Sequence, residues 1–120
     1  MTYKTGADLV TEAKQRIREV TPREVLDMQQ RGADVVYLDV REPNEWNLGR
    51  LPNAMFIPRG NLESNIEARV DRDQPIVIYC ARGNRSALAA DTLQQMGYTD
   101  VASMVEGFGG WIAIGGPVED

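Results

Sequence analysis

"IVIYCARGNRSALAADTLQQMG", residues 76–97, decides the fold. It opens on an unbroken apolar run, "IVIYC", with no polar alternation, which reads as a strand covered on both faces, as in a parallel sheet. It closes on "SALAADTLQQMG", a helical pattern stopped at Gly97. Between them sits a short loop carrying Cys80, the one cysteine of the chain, with Arg82 and Arg85 close behind.

Outward from this unit the pattern repeats. "DVVYLDV" (34–40) is a second buried strand, and "NAMFIP" (53–58) a short one closed by Pro58. "DVASMV" (100–105) is a further strand. "NLESNIEARV" places Leu62, Ile66 and Val70 at spacing four, which predicts one helix. Pro43 opens a short helix that Gly49 ends, and "GFGGWIAIGG" allows about one helical turn around Trp111 and Ile112. In "TPRE", Thr21 caps a helix, Pro22 occupies its first position and Glu24 closes a capping box. That helix should run to about residue 31 and stop at Gly32. Before it, Leu9, Val10, Ala13, Ile17 and Val20 fall at helical spacing between charges, an amphipathic N-terminal helix. Strands alternating with helices argue for an α/β fold around a mainly parallel sheet.

Composition narrows the chemistry. The chain has 120 residues and is 42% hydrophobic, enough for one core without staples. One cysteine cannot form an internal disulfide. A net charge of −5 disfavours nucleic acid, because phosphate contacts need a basic face. No apolar stretch near the start is long enough for a signal or a membrane span, so a cytoplasmic location without membrane association is expected. With no histidine, a Ser-His-Asp or Cys-His pair is impossible within the chain. Imidazole-based zinc sites are excluded as well, and Asp71 and Asp73 in a polar turn make a poor metal site.

The loop itself is suggestive. Cys80 ends a strand, and ligands gather at the carboxyl ends of strands in open α/β sheets. Gly83 lets the backbone turn tightly, and the helix starting near Ser86 adds unpaired N–H groups and the positive end of its dipole. These donors, with the cations of Arg82 and Arg85, should favour the thiolate of Cys80 over the thiol.

Strand, "CARGNRS" and helix together resemble the active-site loop of single-domain rhodaneses, the thiosulfate sulfurtransferase family. "LDVREPNEW" (38–46), "GRLPNAMFIP" (49–58) and "VEGFGGWIAIGGPV" (105–118) resemble further signatures of that family, in the same order. The resemblance covers residues 21–120, with 1–20 as a helical extension that packs on the domain. It implies a three-layer α/β fold, a mainly parallel sheet of about five strands flanked by helices. It also implies sulfur transfer without a cofactor. Cys80 would take sulfane sulfur from thiosulfate or a similar donor as a persulfide and pass it to cyanide, a thiol or a partner protein in a sulfur relay. The N–H groups of Ala81, Gly83, Asn84, Arg85 and Ser86 would hold that persulfide. Arg82 ranks higher for substrate, Arg85 for architecture.

Three positions depart from the family pattern. Arg50 stands where His is usual, Asn53 where Gly is common, and Glu106 takes the first place of a Gly pair. None is expected to touch the Cys80 loop. Phosphatases and arsenate reductases of the same fold space Cys and Arg by five residues, whereas four separate Cys80 from Arg85 here. The tighter ring suits a single sulfur better than a tetrahedral oxyanion. Asp39, Arg41 and Glu42 read more readily as an ion-paired brace than as a pocket wall. Trp46 and Trp111 read as core or rim, and Met55, Met96 and Met104 as core fillers.

Overall fold

A computed structural model describes residues 2–120. In chain order the elements are α1 (Gly6–Arg16), β1 (Arg18–Val20), α2 (Pro22–Gln30), β2 (Val36–Asp39), α3 (Pro43–Asn47), β3 (Met55–Phe56), α4 (Leu62–Asn65), β4 (Ile76–Tyr79), α5 (Asn84–Gln95), β5 (Val101–Met104) and α6 (Gly107–Ala113). The five strands form one sheet in the order β1-β5-β4-β2-β3, and every pairing is parallel. This is the expected α/β architecture, with helices on both faces of a parallel sheet.

The apolar run of β4 sorts itself by the two-residue period of a strand. Ile76, Ile78 and Cys80 face one side, where they pack with Leu62, Ile66, Ala89, Ala90 and Leu93 from α4, α5 and the turn after α4. Val77 and Tyr79 face the other, against Val25 of α2 and Trp111 of α6. All of β4 is buried, which is why it shows no polar alternation. Each fully buried Leu or Ile adds roughly 1.5–3 kcal/mol. Trp111 is wholly buried with its indole N–H donating to Pro117 O at 2.8 Å, so core is its place. Trp46 is half-buried, stacked on Phe56 at 4.8 Å and with the Arg50 guanidinium 4.5 Å from its ring. Met104 is core, while Met55 and Met96 pack on the core's edge.

The cap of α2 forms as expected: Thr21 Oγ1 accepts from the Glu24 N–H at 3.1 Å, and Glu24 Oε1 accepts from the Thr21 N–H at 2.9 Å. Three local expectations change. The N-terminal helix stops at Arg16, because residues 18–20 pair with β5 as an edge strand, and Val20 O accepts from the Val105 N–H at 2.9 Å. Residues 59–68 are not one helix. Two tight 3-10 turns, Arg59–Asn61 and Ile66–Ala68, flank α4, although Leu62, Ile66 and Val70 are all buried as their spacing requires. At the other end of the chain, α6 is two turns rather than one.

Asn53 sits at φ 63, in the left-handed region where Asn is the best substitute for Gly. Helix α1 lies along α5, with Ala13 fully buried and the Arg16 guanidinium bound to both carboxylate oxygens of Asp91, at 2.9 and 2.7 Å. Among the described residues no helix is long and apolar enough to cross a membrane.

Candidate active site

Three loops leave the carboxyl edge of the sheet side by side, after β2, β4 and β5, and they meet around Cys80. The β4–α5 loop is shorter than the sequence suggested. Helix α5 begins at Asn84, two residues before the expected start, and Gly83 is its N-cap at φ 100, a conformation that L side chains rarely adopt. Ser86 therefore lies inside the first turn, and its N–H points back at the strand end.

The Cys80 side chain is 1% exposed. Its Sγ accepts from the Gly83 N–H at 3.1 Å and from the Ser86 N–H at 3.3 Å. The Ser86 Oγ lies 3.5 Å from Sγ; a thiol donates to that hydroxyl, and a thiolate accepts from it. Behind it, Ser86 Oγ and Ser103 Oγ share a hydrogen bond of 2.8 Å, both fully buried. Burial alone would push the Cys80 thiol up. The hydroxyl and N–H of Ser86 and the N–H groups of Arg82 and Gly83 outweigh it, and the thiol lies below its ordinary value. Hydrogen bonds are the leading causes that lower it, and the Arg85 guanidinium couples to Cys80 as a smaller one. The N–H groups of Ala81, Asn84 and Arg85 make no bond to Sγ.

The two arginines part company. Arg85 binds Glu45 of α3 through two bonds, at 2.9 and 3.1 Å, which holds the Glu45 carboxylate below its usual range. Arg82 is exposed, and among the described residues its guanidinium makes no hydrogen bond or ion pair. Cys80, Ala81, Arg82, Asn84 and Arg85 line a small cavity of about 190 Å³. A larger groove of about 590 Å³ shares Ala81 and Arg82 with it and is walled by Arg41, Glu45, Glu106, Phe108, Gly109, Gly110 and Ala113.

Asp39 and Arg41 form a buried brace. The Arg41 guanidinium donates to Asp39 at 2.7–3.0 Å and to Gly49 O at 2.7 Å, and it lies over the Phe108 ring at 4.3 Å. Glu42 does not join them; its N–H donates to Glu45 instead.

The expectation that the departures leave the loop untouched fails at Glu106 and Gly107. Their segment lies directly on the loop. The Phe108 N–H donates to Cys80 O at 2.7 Å and the Gly109 N–H to Ala81 O at 3.1 Å. A Cβ on Gly107 would overlap Cys80 O and sit 2.6 Å from Ala81 C. Sequence reasoning missed this clamp, the Glu45 partner of Arg85 and the Ser103 support. Ser103 had one usable signal, a lone hydroxyl inside an apolar strand.

Among the described residues no three His, Cys, Asp or Glu side chains gather as a metal site would require. The model of the rhodanese-like domain matches residues 21–114. The thiosulfate sulfurtransferase GlpE of Pseudoalteromonas translucida is 37% identical over 75% of this chain and 81% of its own. The probable adenylyltransferase/sulfurtransferase MoeZ of Mycobacterium tuberculosis is 32% identical over 77% of this chain, which spans only 24% of that protein's length. Among solved structures, a Rhodopseudomonas palustris protein of unknown function, described as a possible tyrosine phosphatase, matches with a TM-score of 0.91 and 35% identity over 99% of this chain and 97% of its own. The homodimeric polysulfide-sulfur transferase of Wolinella succinogenes matches at 0.79, with 29% identity over 92% and 84% of the two chains.

Proposed function

The chain belongs to the rhodanese-like domain family, and we propose that it is a sulfurtransferase working through a persulfide on Cys80. The observation that carries this reading is the hydrogen-bonded Sγ of Cys80, held by the Gly83 N–H, the Ser86 N–H and the Ser86 hydroxyl at the start of α5. Named sulfurtransferases among the relatives support transfer of sulfur in general. Thiosulfate as the donor is our finer proposal.

In the first step the Cys80 thiolate attacks the outer sulfur of thiosulfate. A new S–S bond forms, the bond inside thiosulfate breaks, and sulfite leaves with the electron pair. The unattached cation of Arg82 at the mouth attracts the dianionic donor. The N–H groups of Asn84 and Arg85, in the first turn of α5 where no intrahelical acceptor exists, are with that of Ala81 the donors we assign to the added sulfur. In the second step a thiophilic acceptor takes that sulfur and restores the thiolate, a ping-pong cycle. Because the chain has no other cysteine, the persulfide cannot discharge as an internal disulfide. A reducing, cytoplasmic compartment suits such a thiolate. Residues 21–120 carry the chemistry, and residues 1–20 add a helix and an edge strand.

A phosphatase reading draws on the Rhodopseudomonas palustris likeness, but the local chemistry favours sulfur. Four residues separate Cys80 from Arg85, and the Arg85 guanidinium is bound to Glu45 rather than free for a phosphate. The likeness to MoeZ supports a relay in which the acceptor is a protein, with the same first step.

The deciding experiment is intact mass after incubation with thiosulfate, then thiocyanate formation on adding cyanide. The expected result is one added sulfur atom and catalytic thiocyanate release, with Cys80→Ser showing neither. Activity surviving in Cys80→Ser would sink the proposal. Phosphate-ester hydrolysis without sulfur loading would replace it with the phosphatase reading.

A further inference from the structure

The larger groove beside the active-site loop carries four charged side chains, and two of them are already occupied. Arg41 is bound to Asp39 and Gly49 O and covered by Phe108, and Glu45 is bound to Arg85. Two are free. The side chains of Arg82 and Glu106 are exposed and make no hydrogen bond or ion pair among the described residues. Among the described residues Glu106 is also one of two non-glycine residues at positive φ, at 62°. A carboxylate held in the left-handed region, which most L residues avoid, on the wall of a groove and without a partner, points to a ligand it meets. Phe108 and Ala113 add apolar surface to the same groove. The groove and the small cavity over Cys80 share Ala81 and Arg82, so a molecule seated in the first can reach the second.

We propose that this groove is the acceptor subsite, and that it selects a small thiol bearing both an ammonium and a carboxylate, the ammonium meeting Glu106 and the carboxylate meeting Arg82. The proposal rests on the sulfur-transfer reading. The acceptor thiolate attacks the outer sulfur of the Cys80 persulfide. The new S–S bond forms as the bond to Cys80 breaks, Cys80 leaves as the thiolate, and the proton of the persulfide stays on the transferred sulfur. No oxidant or reductant is consumed. Glu106 thus acts as a specificity-determining residue, and the donor end of the site does not use it.

The test loads the full chain with sulfur from thiosulfate, removes the donor and follows discharge of the persulfide by mass. Four thiols are compared: cysteine, cysteamine, 3-mercaptopropionate and 2-mercaptoethanol. Each variant is compared with wild type on the same thiol, so intrinsic thiol reactivity cancels. Exposed ion pairs of this kind set the expected size at up to about fivefold. Glu106→Gln should slow discharge by that factor for cysteine and cysteamine, the two ammonium thiols. It should not slow 3-mercaptopropionate or 2-mercaptoethanol. Arg82→Gln, brought to the same sulfur load, should slow the two carboxylate thiols, cysteine and 3-mercaptopropionate, more than the other two. An equal effect of Glu106→Gln on all four thiols, or none on any, would overturn the subsite while leaving sulfur transfer in place. Failure of thiosulfate to load Cys80 at all would overturn the sulfur-transfer reading and this one with it.

Discussion

Replacing Gly107 with Ala tests whether the segment after β5 holds the Cys80 loop in place. Gly107 has φ 54, where an L side chain costs roughly 1–2 kcal/mol. The added methyl would also press on backbone, 2.6 Å from Ala81 C and 2.8 Å from Ala81 O, atoms that no rotamer change can move aside. Overpacking of this kind adds about 1–3 kcal/mol. Together these put the variant about 2–5 kcal/mol below wild type, or roughly 8–20 °C in Tm for a domain of this size. Gly32→Ala is the matched control: its φ is 67, yet a Cβ there meets nothing within 4 Å. It should lose only the conformational part, about 4–8 °C. Thermal melts of both variants, with the rate of sulfur loading from thiosulfate, give the answer. Gly107→Ala melting within about 2 °C of Gly32→Ala, with its loading rate unchanged, would refute the clamp.

Other outcomes follow from the same geometry. Ser86→Ala removes the hydroxyl that favours the Cys80 thiolate, so the midpoint of pH-dependent alkylation by iodoacetamide should move to higher pH; an unmoved midpoint would remove Ser86 from the account. Because the folded thiol lies below its ordinary value of 9.0, the unfolded chain binds more protons between the two. The stabilisation is therefore complete above about pH 9 and lost as pH falls through the folded value. Urea unfolding of wild type against Cys80→Ala should show the wild-type advantage growing as pH rises, and a constant difference would contradict it. Asp39→Asn strips the counter-charge from a guanidinium that is 4% exposed and should cost about 3–5 kcal/mol by urea unfolding. Replacing both partners with apolar residues should cost less than that single change.

Much of this molecule was legible because its signals are local. The capping box at Thr21 and Glu24, the apolar run of β4 and the Cys80 loop each fit within about a dozen residues. What stayed hidden depends on partners far along the chain. β1 has one buried residue, Val20, so it has no two-residue period, and its charges continue the helical pattern of α1. Only β5, more than eighty residues away, turns it into a strand. The Glu45–Arg85 pair spans 40 residues, and nothing local distinguishes Glu45 from its acidic neighbours. The start of α5 was misplaced because Ser is a favoured cap, whereas here the turn is made by Gly83 at positive φ and Ser86 serves the sulfur instead. The clamp of residues 106–109 on the loop was missed for the same reason as β1: it is an encounter between segments, and no spacing rule encodes it.

That clamp also orders events while the chain is being made. Cys80 and its loop leave the ribosome before Phe108 and Gly109, whose N–H groups fasten the carbonyls of Cys80 and Ala81. β5, which brings Ser103 behind Ser86, is also synthesised later. Until those segments dock, the thiol lacks the settled ring of donors that lowers its pKa. A nascent or truncated chain therefore carries a more ordinary cysteine. The donor ring around Cys80 is among the last features of the domain to be assembled, although that residue lies two-thirds of the way along the sequence.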